Sequence, residues 1–246
     1  MYRFGVDIGG TFTDLVIQDG ETGLIETLKV PSTPDDPSEA VLNAVRLAAS
    51  DEKLKIDLGS VVQLIHGTTV ASNTILQGVG ARTGLLVTAG FRDLLEIRRH
   101  KRYALFDAAY RKVPPLAPRE LTVGIPERIG ADGGVVEPLD EDAVRHAVAK
   151  LANAEVESIA ICFLFSFLND AHEKRTEAIV REMLPKCFVS RSSAIYPQYR
   201  EYERASTTAV NSYLGPRVSH YIDRLSAEIE GTGLKAPLQL MQSNGG

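Results

Sequence analysis

Residues 6–14 read Val-Asp-Ile-Gly-Gly-Thr-Phe-Thr-Asp. This short stretch gathers two carboxylates, two threonine hydroxyls and a glycine pair. Hydroxyls and backbone N–H groups suit phosphate oxygens, and a carboxylate suits a Mg2+ ion that keeps its waters. On that reading Asp7 is the metal-water ligand, and Gly9, Gly10, Thr11 and Thr13 cradle phosphates. Asp14 either orients the loop and holds a second water or is a structural turn acceptor. Glycines at 9 and 10 are expected to supply positive φ and close approach. An ordinary hairpin turn uses the same residue types, so the spacing alone leaves both readings open.

Further polar groups follow along the chain. His66-Gly67-Thr68-Thr69 ends an apolar run before a helical stretch, a place where α/β proteins gather ligands. His66 either polarises a substrate carbonyl as an acid or base, or is a buried, hydrogen-bonded structural residue. Asn73 and Thr74 read first as packing or capping residues. The segment from Phe91 to Arg102 places Asp93 and Glu96 beside Arg92, Arg98, Arg99 and Lys101, which is the composition of a solvated helix face. The role of the Arg98–Arg102 stretch stays open. Arg200, Glu201, Glu203 and Arg204 read as an ion-pair network.

Composition bounds these possibilities. The 246 residues are 44% apolar and 24% charged, with a formal net charge of −5, an ordinary soluble globular balance. One short basic run in an acidic chain argues against general nucleic-acid binding. The apolar stretch 159–168 suits a buried strand and is too short for a membrane span. The chain opens directly into a strand, without a signal-peptide pattern. Cys162 and Cys187 lie in apolar runs without metal-ligand spacing and read as buried thiols of a reducing cytoplasm. The expectation is a cytoplasmic protein with no nucleic-acid or membrane partner.

The elements that position these groups can be read in outline. Strands near 3–8, 12–18 and 24–30, joined by short turns, predict an antiparallel meander. A helix is expected from Asp36 as N-cap, with Pro37 first, Glu39 closing a capping box, and Val41, Leu42, Val45 and Ala49 on its apolar face. Strands at 61–65, 84–88, 158–165 and 187–191 alternate with helices ending at Gly78, starting at Asp140 and spanning 170–184. Residues 103–125 read as a proline-rich excursion, and Asp132-Gly133 as a hairpin turn. Two final helices, the first ended by Gly215 and the second opened by Pro216, precede a strand beginning at Leu238. The order predicts an α/β fold with a mixed sheet. The dinucleotide fingerprint and the P-loop pattern are both absent.

The Asp-x-Gly-Gly-Thr hairpin followed by a third strand, a helix and a strand resembles the opening of the actin-like ATPases. The longer strings are narrower: VDIGGTFTDLVI, IHGTTVASNTIL, TAGFRDLLEIRRH, YREYERASTTAVNSYLGP and LMQSNGG. In that order they are similar to the hydantoinase/oxoprolinase family, specifically the N-terminal part of the hydantoinase A subunit. The resemblance implies half of an actin-like (ribonuclease H-like) fold, with a mixed sheet, an antiparallel opening and helices on both faces. It implies domains at 1–190 and 191–246, the second being the truncated beginning of a catalytic domain.

It also implies ATP and Mg2+ as cofactors and a small cyclic amide or ketone as substrate. The implied reaction is phosphorylation of a cyclic-amide carbonyl oxygen before ring opening, or of an enol oxygen in the ketone relatives. Asp7 and His66 are then the catalytic candidates, and Gly67, Thr68, Thr69, Arg92 and Asp93 the substrate-binding candidates. Family members are longer and carry a second Asp-x-Gly-Gly-Thr motif after the string that ends in Ser243-Asn244-Gly245-Gly246. The expectation is therefore part of a larger enzyme, inactive alone, that needs either a C-terminal half or a B-type hydantoinase subunit. A small-molecule kinase of the same superfamily and a non-catalytic split subunit are the competing readings. The residues do not choose among hydantoin, 5-oxoproline and a ketone.

Overall fold

The computed structural model describes residues 1–33, 36–54, 56–101, 104 and 106–242. The chain forms two compact units, Met1–Gly78 with Val218–Gly246, and Val79–Arg217.

The first unit holds β1 (Tyr2–Ile8), β2 (Phe12–Asp19), β3 (Ile25–Pro31), α1 (Pro37–Ser50), β4 (Val61–Thr68) and α2 (Val70–Gln77). The later part of a long helix, α7 (Glu201–Glu230), and the short β11 (Leu238–Leu240) complete it. Its sheet runs β11-β4-β1-β2-β3. As expected, β1, β2 and β3 form an antiparallel meander, while β4 runs parallel to β1 and β11. Alternation along the strands sends Phe4, Val6, Ile8, Leu15, Ile17 and Leu64 into one core with α1 and the buried Tyr221, Leu225 and Ile229 of α7. The residues out of phase, among them Arg3, Asp7 and Val16, are exposed.

Helix α1 begins where the sequence places it. The Asp36 carboxylate accepts hydrogen bonds from the Ser38 amide and hydroxyl, with Pro37 at the first position. The Asp36 amide donates to the Thr33 carbonyl, so Glu39 does not close a capping box. Ala48 takes the buried place expected for Ala49, because one residue turns the side chain about 100° around the axis.

The second unit holds β5 (Thr83–Thr88), α3 (Leu94–Ile97), β6 (Thr122–Ile125), a small hairpin of β7 (Arg128–Ile129) and β8 (Val135–Glu137), α4 (Glu141–Asn153), β9 (Ser158–Cys162), α5 (Ala171–Met183), β10 (Phe188–Arg191) and α6 (Ser192–Ile195). The first part of α7 belongs to it. Its sheet, β10-β9-β5-β6, is wholly parallel. Here helices do cover both faces. Leu86, Ile159 and Ile161 pack with α4 and α5, while Leu85, Val87, Ala160 and Cys162 pack with Leu95, Ala205 and Ala209.

Three expectations are corrected. Residues 122–125 form β6 inside the stretch read as irregular, because partnership with β5 makes a strand of a segment too short to show a period. The strand expected over 158–165 stops at Cys162, where the Phe163 amide turns to the buried Glu173 carboxylate at 2.9 Å. Gly215 and Pro216 lie inside one continuous α7. Gly215 serves close packing there, since a Cβ would stand 2.2 Å from the Phe188 ring. Pro216 removes one helical hydrogen bond. Buried Ala209 and Tyr213 before it, and Tyr221 and Leu225 after it, hold the helix on course.

Candidate functional site

The turn between β1 and β2 is Gly9-Gly10-Thr11. The Gly9 amide donates to the Phe12 carbonyl at 3.0 Å. Ser32, just past β3, ties the turn from the other side. Its amide donates to the Thr11 carbonyl at 2.9 Å, and its hydroxyl donates to the Gly9 carbonyl at 2.9 Å. That leaves the Ser32 oxygen to accept from the Thr13 hydroxyl, 3.0 Å away. Ser32 thereby takes up the carbonyls of Gly9 and Thr11. Among the described residues the amides of Gly10 and Thr11, and the Thr11 hydroxyl, have no partner, and both residues are exposed.

Neither Gly9 nor Gly10 has positive φ, contrary to expectation. Gly9 is needed for close approach instead: a Cβ there would lie 2.9 Å from the Phe12 carbonyl oxygen. A Cβ at Gly10 would meet nothing within 4 Å, so that side of the turn is open. Thr13 does not join the open side. It is fully buried and spends its hydroxyl on Ser32, because position 13 is in phase with core residues Leu15 and Ile17.

Asp7 sits on the opposite face from the core. Its cross-strand partner on β2 is Asp14, whose own partner on β3 is Lys29. Lys29 Nζ lies 3.2 Å from Asp14 Oδ1 and 5.4 Å from the centroid of the Phe12 ring. Like charges directly opposite one another weaken a sheet, and only Asp14 has a cationic partner. The Asp7 carboxylate has no hydrogen bond or ion pair among the described residues. On its other side Asp7 pairs with Gly67 of β4. A Cβ on Gly67 would stand 3.2 Å from Asp7 Oδ1, so the glycine keeps space beside the carboxylate.

His66 is not part of this open face. Position 66 pairs with Val6 and shares its phase, so the imidazole is fully buried. The Val6 carbonyl can only accept, so Nδ1 carries the proton and donates to it at 3.3 Å. Nε2 then accepts from the Tyr221 hydroxyl at 2.6 Å. Burial drives the imidazole pKa below its usual value, partly opposed by the Val6 bond and the Asp7 charge. Burial also raises the Tyr221 phenol, opposed by a hydrogen bond with Thr68. The histidine is thus a buried core residue with both ring nitrogens hydrogen-bonded, the arrangement of the structural reading. Thr68 Oγ1 accepts from the Val70 amide, and Thr69 stands at the N-cap position of α2 without a side-chain capping bond, its hydroxyl accepting from Asn73 Nδ2 at 3.2 Å.

Arg92 and Asp93 belong to the second unit. Arg92 Nε donates to the Thr122 carbonyl at 3.0 Å, and Nη2 to that of Arg119, also at 3.0 Å. Asp93 is paired with the Arg119 guanidinium, whose hydrogen bond holds the carboxyl below its usual range. Both side chains are committed to the framework around Arg119. Glu203 pairs with Arg99 at 2.5 Å, and among the described residues no ion pair joins Arg200, Glu201, Glu203 and Arg204 to one another. Arg204, by contrast, is buried and has no carboxylate partner among the described residues. It donates to the Phe163 carbonyl at 2.6 Å and lies over the Phe167 ring. Arg102 and Ser243-Asn244-Gly245-Gly246 lie outside the described residues.

Ser32, Lys29 and Tyr221 complete the surroundings of the turn and of His66, and none carries a local sequence signal. They arrive through strand register and the return of α7. Two adjacent carboxylates suit a cation that keeps most of its waters. No group of three His, Cys, Asp or Glu that could enclose a metal occurs among the described residues.

The hydantoinase/oxoprolinase N-terminal region model matches residues 3–184, and the hydantoinase/oxoprolinase model matches residues 204–246. The chain is 41% identical to caprolactamase subunit alpha of Pseudomonas jessenii, covering 100% of this chain and 36% of that protein. It is 33% identical to the acetophenone carboxylase gamma subunit of Aromatoleum aromaticum, covering 98% and 35% respectively. The crystal structure of the ATP-dependent caprolactamase from Pseudomonas jessenii superposes with a TM-score of 0.90 at 40% identity, over 99% of this chain and 36% of that one. The chain thus spans about a third of the length of the curated relatives it matches. It belongs to the hydantoinase/oxoprolinase family.

Proposed function

We propose that the chain is the phosphate-binding portion of an ATP-dependent hydrolase that opens C–N bonds in cyclic amides. The observation that carries this reading is the free Asp7 carboxylate beside Asp14, next to a turn whose Gly10 and Thr11 amides are uncommitted. Caprolactamase subunit alpha, 41% identical, supports the cyclic-amide class. In this reading Asp7 and Asp14 hold the waters of a Mg2+ ion, and the space kept by Gly67 admits them. Gly9 keeps the turn tight, and Gly10 and Thr11 donate to phosphate oxygens. Thr13 and Ser32 hold the turn's shape.

Bound Mg-ATP would supply the phosphoryl group that converts a poor amide electrophile into one with a good leaving group. The chain's own residues contribute alignment and charge compensation, which govern phosphoryl transfer. His66 acts as a positioning residue, fixing the end of β4 through Val6 and Tyr221. Gly67, Thr68 and Thr69 border the same strand end, and we assign them to the substrate side. Arg92 and Asp93 serve the Arg119 framework in place of direct substrate contact. A B-type subunit or a further stretch of polypeptide completes the enzyme, in keeping with the length of the relatives.

The test is ATP turnover coupled to ring opening, measured in the complete enzyme with ε-caprolactam, 5-oxoproline and hydantoin. Asp7→Asn is expected to abolish coupled turnover, and Thr11→Ala to reduce it about 10- to 100-fold, the range set by hydrogen bonds to charged groups. Turnover unchanged by both substitutions would place the nucleotide elsewhere.

A further inference from the structure

A basin of about 740 Å3 opens on the second unit, bordered by Asp93, Glu96, His100, Lys101, Lys112 and Arg119. Its framework is tightly tied. Arg119 is held by Asp93, and Arg98 donates to the carbonyls of Leu95 and Val113. Lys112 Nζ donates to the Glu96 carbonyl at 3.2 Å. The stretch between them adopts a costly backbone: Arg98 and His100 have φ of 56° and 55° without being glycine. Such left-handed residues persist only where the surroundings enforce them, and they concentrate at ligand clamps.

Within this rim several charged groups have no ion-pair partner among the described residues. The Glu96 carboxylate makes no ion pair with Lys101, Lys112 or Arg119 among the described residues, although all line the same basin. Lys101 and the His100 imidazole have no side-chain partner there either. Lys112 uses one of its three donors. Among the described residues the basin therefore presents a carboxylate and ammonium groups with no ion pair between them, unlike the contact pairs found elsewhere on this unit, such as Arg175 with Glu141 at 2.6 Å. A ligand that satisfies both signs must itself carry both.

We propose that this basin binds an ω-amino carboxylate, with Lys101 and Lys112 on its carboxylate and Glu96 on its ammonium. This rests on the cyclic-amide reading above and deepens it. Hydrolysis breaks the ring C–N bond and adds one water, leaving a carboxylate and an amine on the same linear molecule. The amine takes a proton at neutral pH, so the ring-opened product is a zwitterion, whereas a neutral cyclic amide carries no charge. The basin thus distinguishes product from substrate and is a product-binding site of the second unit.

The experiment is calorimetric titration of the 246-residue protein, without nucleotide, with 6-aminohexanoate, hexanoate, hexylamine and ε-caprolactam at low ionic strength. The expected order places 6-aminohexanoate about tenfold or more tighter than either singly charged analogue, with the neutral lactam weakest. Glu96→Gln should erase the preference over hexanoate. Lys101→Met should erase the preference over hexylamine, and Lys101→Arg should restore it. Circular dichroism of each variant checks that it is folded. Equal binding of hexanoate and 6-aminohexanoate, or no saturable binding of the zwitterion, would overturn the proposal. Asp7→Asn should leave the titration unchanged, so failure here and failure of the phosphate-site reading are told apart.

Discussion

Asp7 and Asp14 stand directly opposite one another across the β1–β2 hairpin, on the face turned away from the core, and Lys29 compensates only Asp14. A sheet that keeps two carboxylates in register loses stability for it. Asp7→Asn is expected to raise thermal stability slightly, by less than about 1 kcal/mol for so exposed a pair. The same change should remove stabilisation by Mg2+. Thermal melts with and without 10 mM MgCl2, a concentration of the order of ~10 times a weak-site dissociation constant, check both parts. A destabilised Asp7→Asn protein would show that the carboxylate serves the fold.

The 246-residue chain alone is expected to bind Mg-ATP only in the millimolar range or weaker, without measurable hydrolysis. The turn offers the amides of Gly10 and Thr11 and one hydroxyl. Each hydrogen bond to a charged group contributes ~1.5–3 kcal/mol, against an association cost of several kcal/mol. Calorimetry decides it, and a micromolar dissociation constant would mean that the turn is not the principal site.

Space beside Asp7 depends on Gly67. Gly67→Ala puts a Cβ 3.2 Å from Asp7 Oδ1, so the carboxylate must shift by a few tenths of an ångström. Loss of Mg2+-dependent stabilisation with little change in the metal-free melt is the expected outcome. A cation response identical to the parent's would remove Gly67 from the site.

His66 gives the protein a defined pH dependence. Its folded pKa lies below the unfolded value near 6.5, chiefly through burial. The unfolded chain therefore binds more protons between the two values, and stability rises with pH in that window. The contribution is complete above about pH 6.5 and is lost as pH falls toward the folded pKa. Urea melts from pH 5 to 8 should show this slope, flattened in a folded His66→Gln variant. A slope that persists in His66→Gln belongs to other groups.

Burial pushes the Cys162 thiol up to about 12 and the Cys187 thiol up to about 11. At pH 8 the thiolate fractions are then on the order of 10⁻⁴ and 10⁻³, so Cys162 should resist labelling until unfolding, while Cys187, half-buried just before β10 and not inside a strand as expected, should label sooner. Neither forms a disulfide. Fast native labelling of Cys162 would contradict its buried place in β9.

Gly215 should be intolerant of a side chain. With a Cβ 2.2 Å from the Phe188 ring, Gly215→Ala forces the ring or the helix aside. Overpacking of this kind typically costs ~1–3 kcal/mol, against any gain in helix propensity. Chemical denaturation measures the balance, and a stabilised variant would mean that Phe188 moves freely.

The sequence by itself determined the meander, the α1 start at Asp36-Pro37, the Gly78 helix end and the family, because these rest on local chemistry and strand alternation. The period of two also carries information that only the tertiary structure turned into a site. Asp7 and Val6 are neighbours in sequence but point to opposite faces, so which one faces the core depends on what packs there. Register then set Asp14 and Gly67 beside Asp7, Lys29 beyond Asp14, and brought Ser32 under the turn, from strands that no local pattern aligns. His66 was open to a catalytic and to a structural reading, and only the pairing of β4 in phase with Val6 and the arrival of Tyr221 on α7 placed its ring in the core. Gly215-Pro216 carried a local signal for a break, and packing on both sides overrode it. Local propensities are worth at most a few kcal/mol, whereas long-range burial and pairing fix which face of each element meets water.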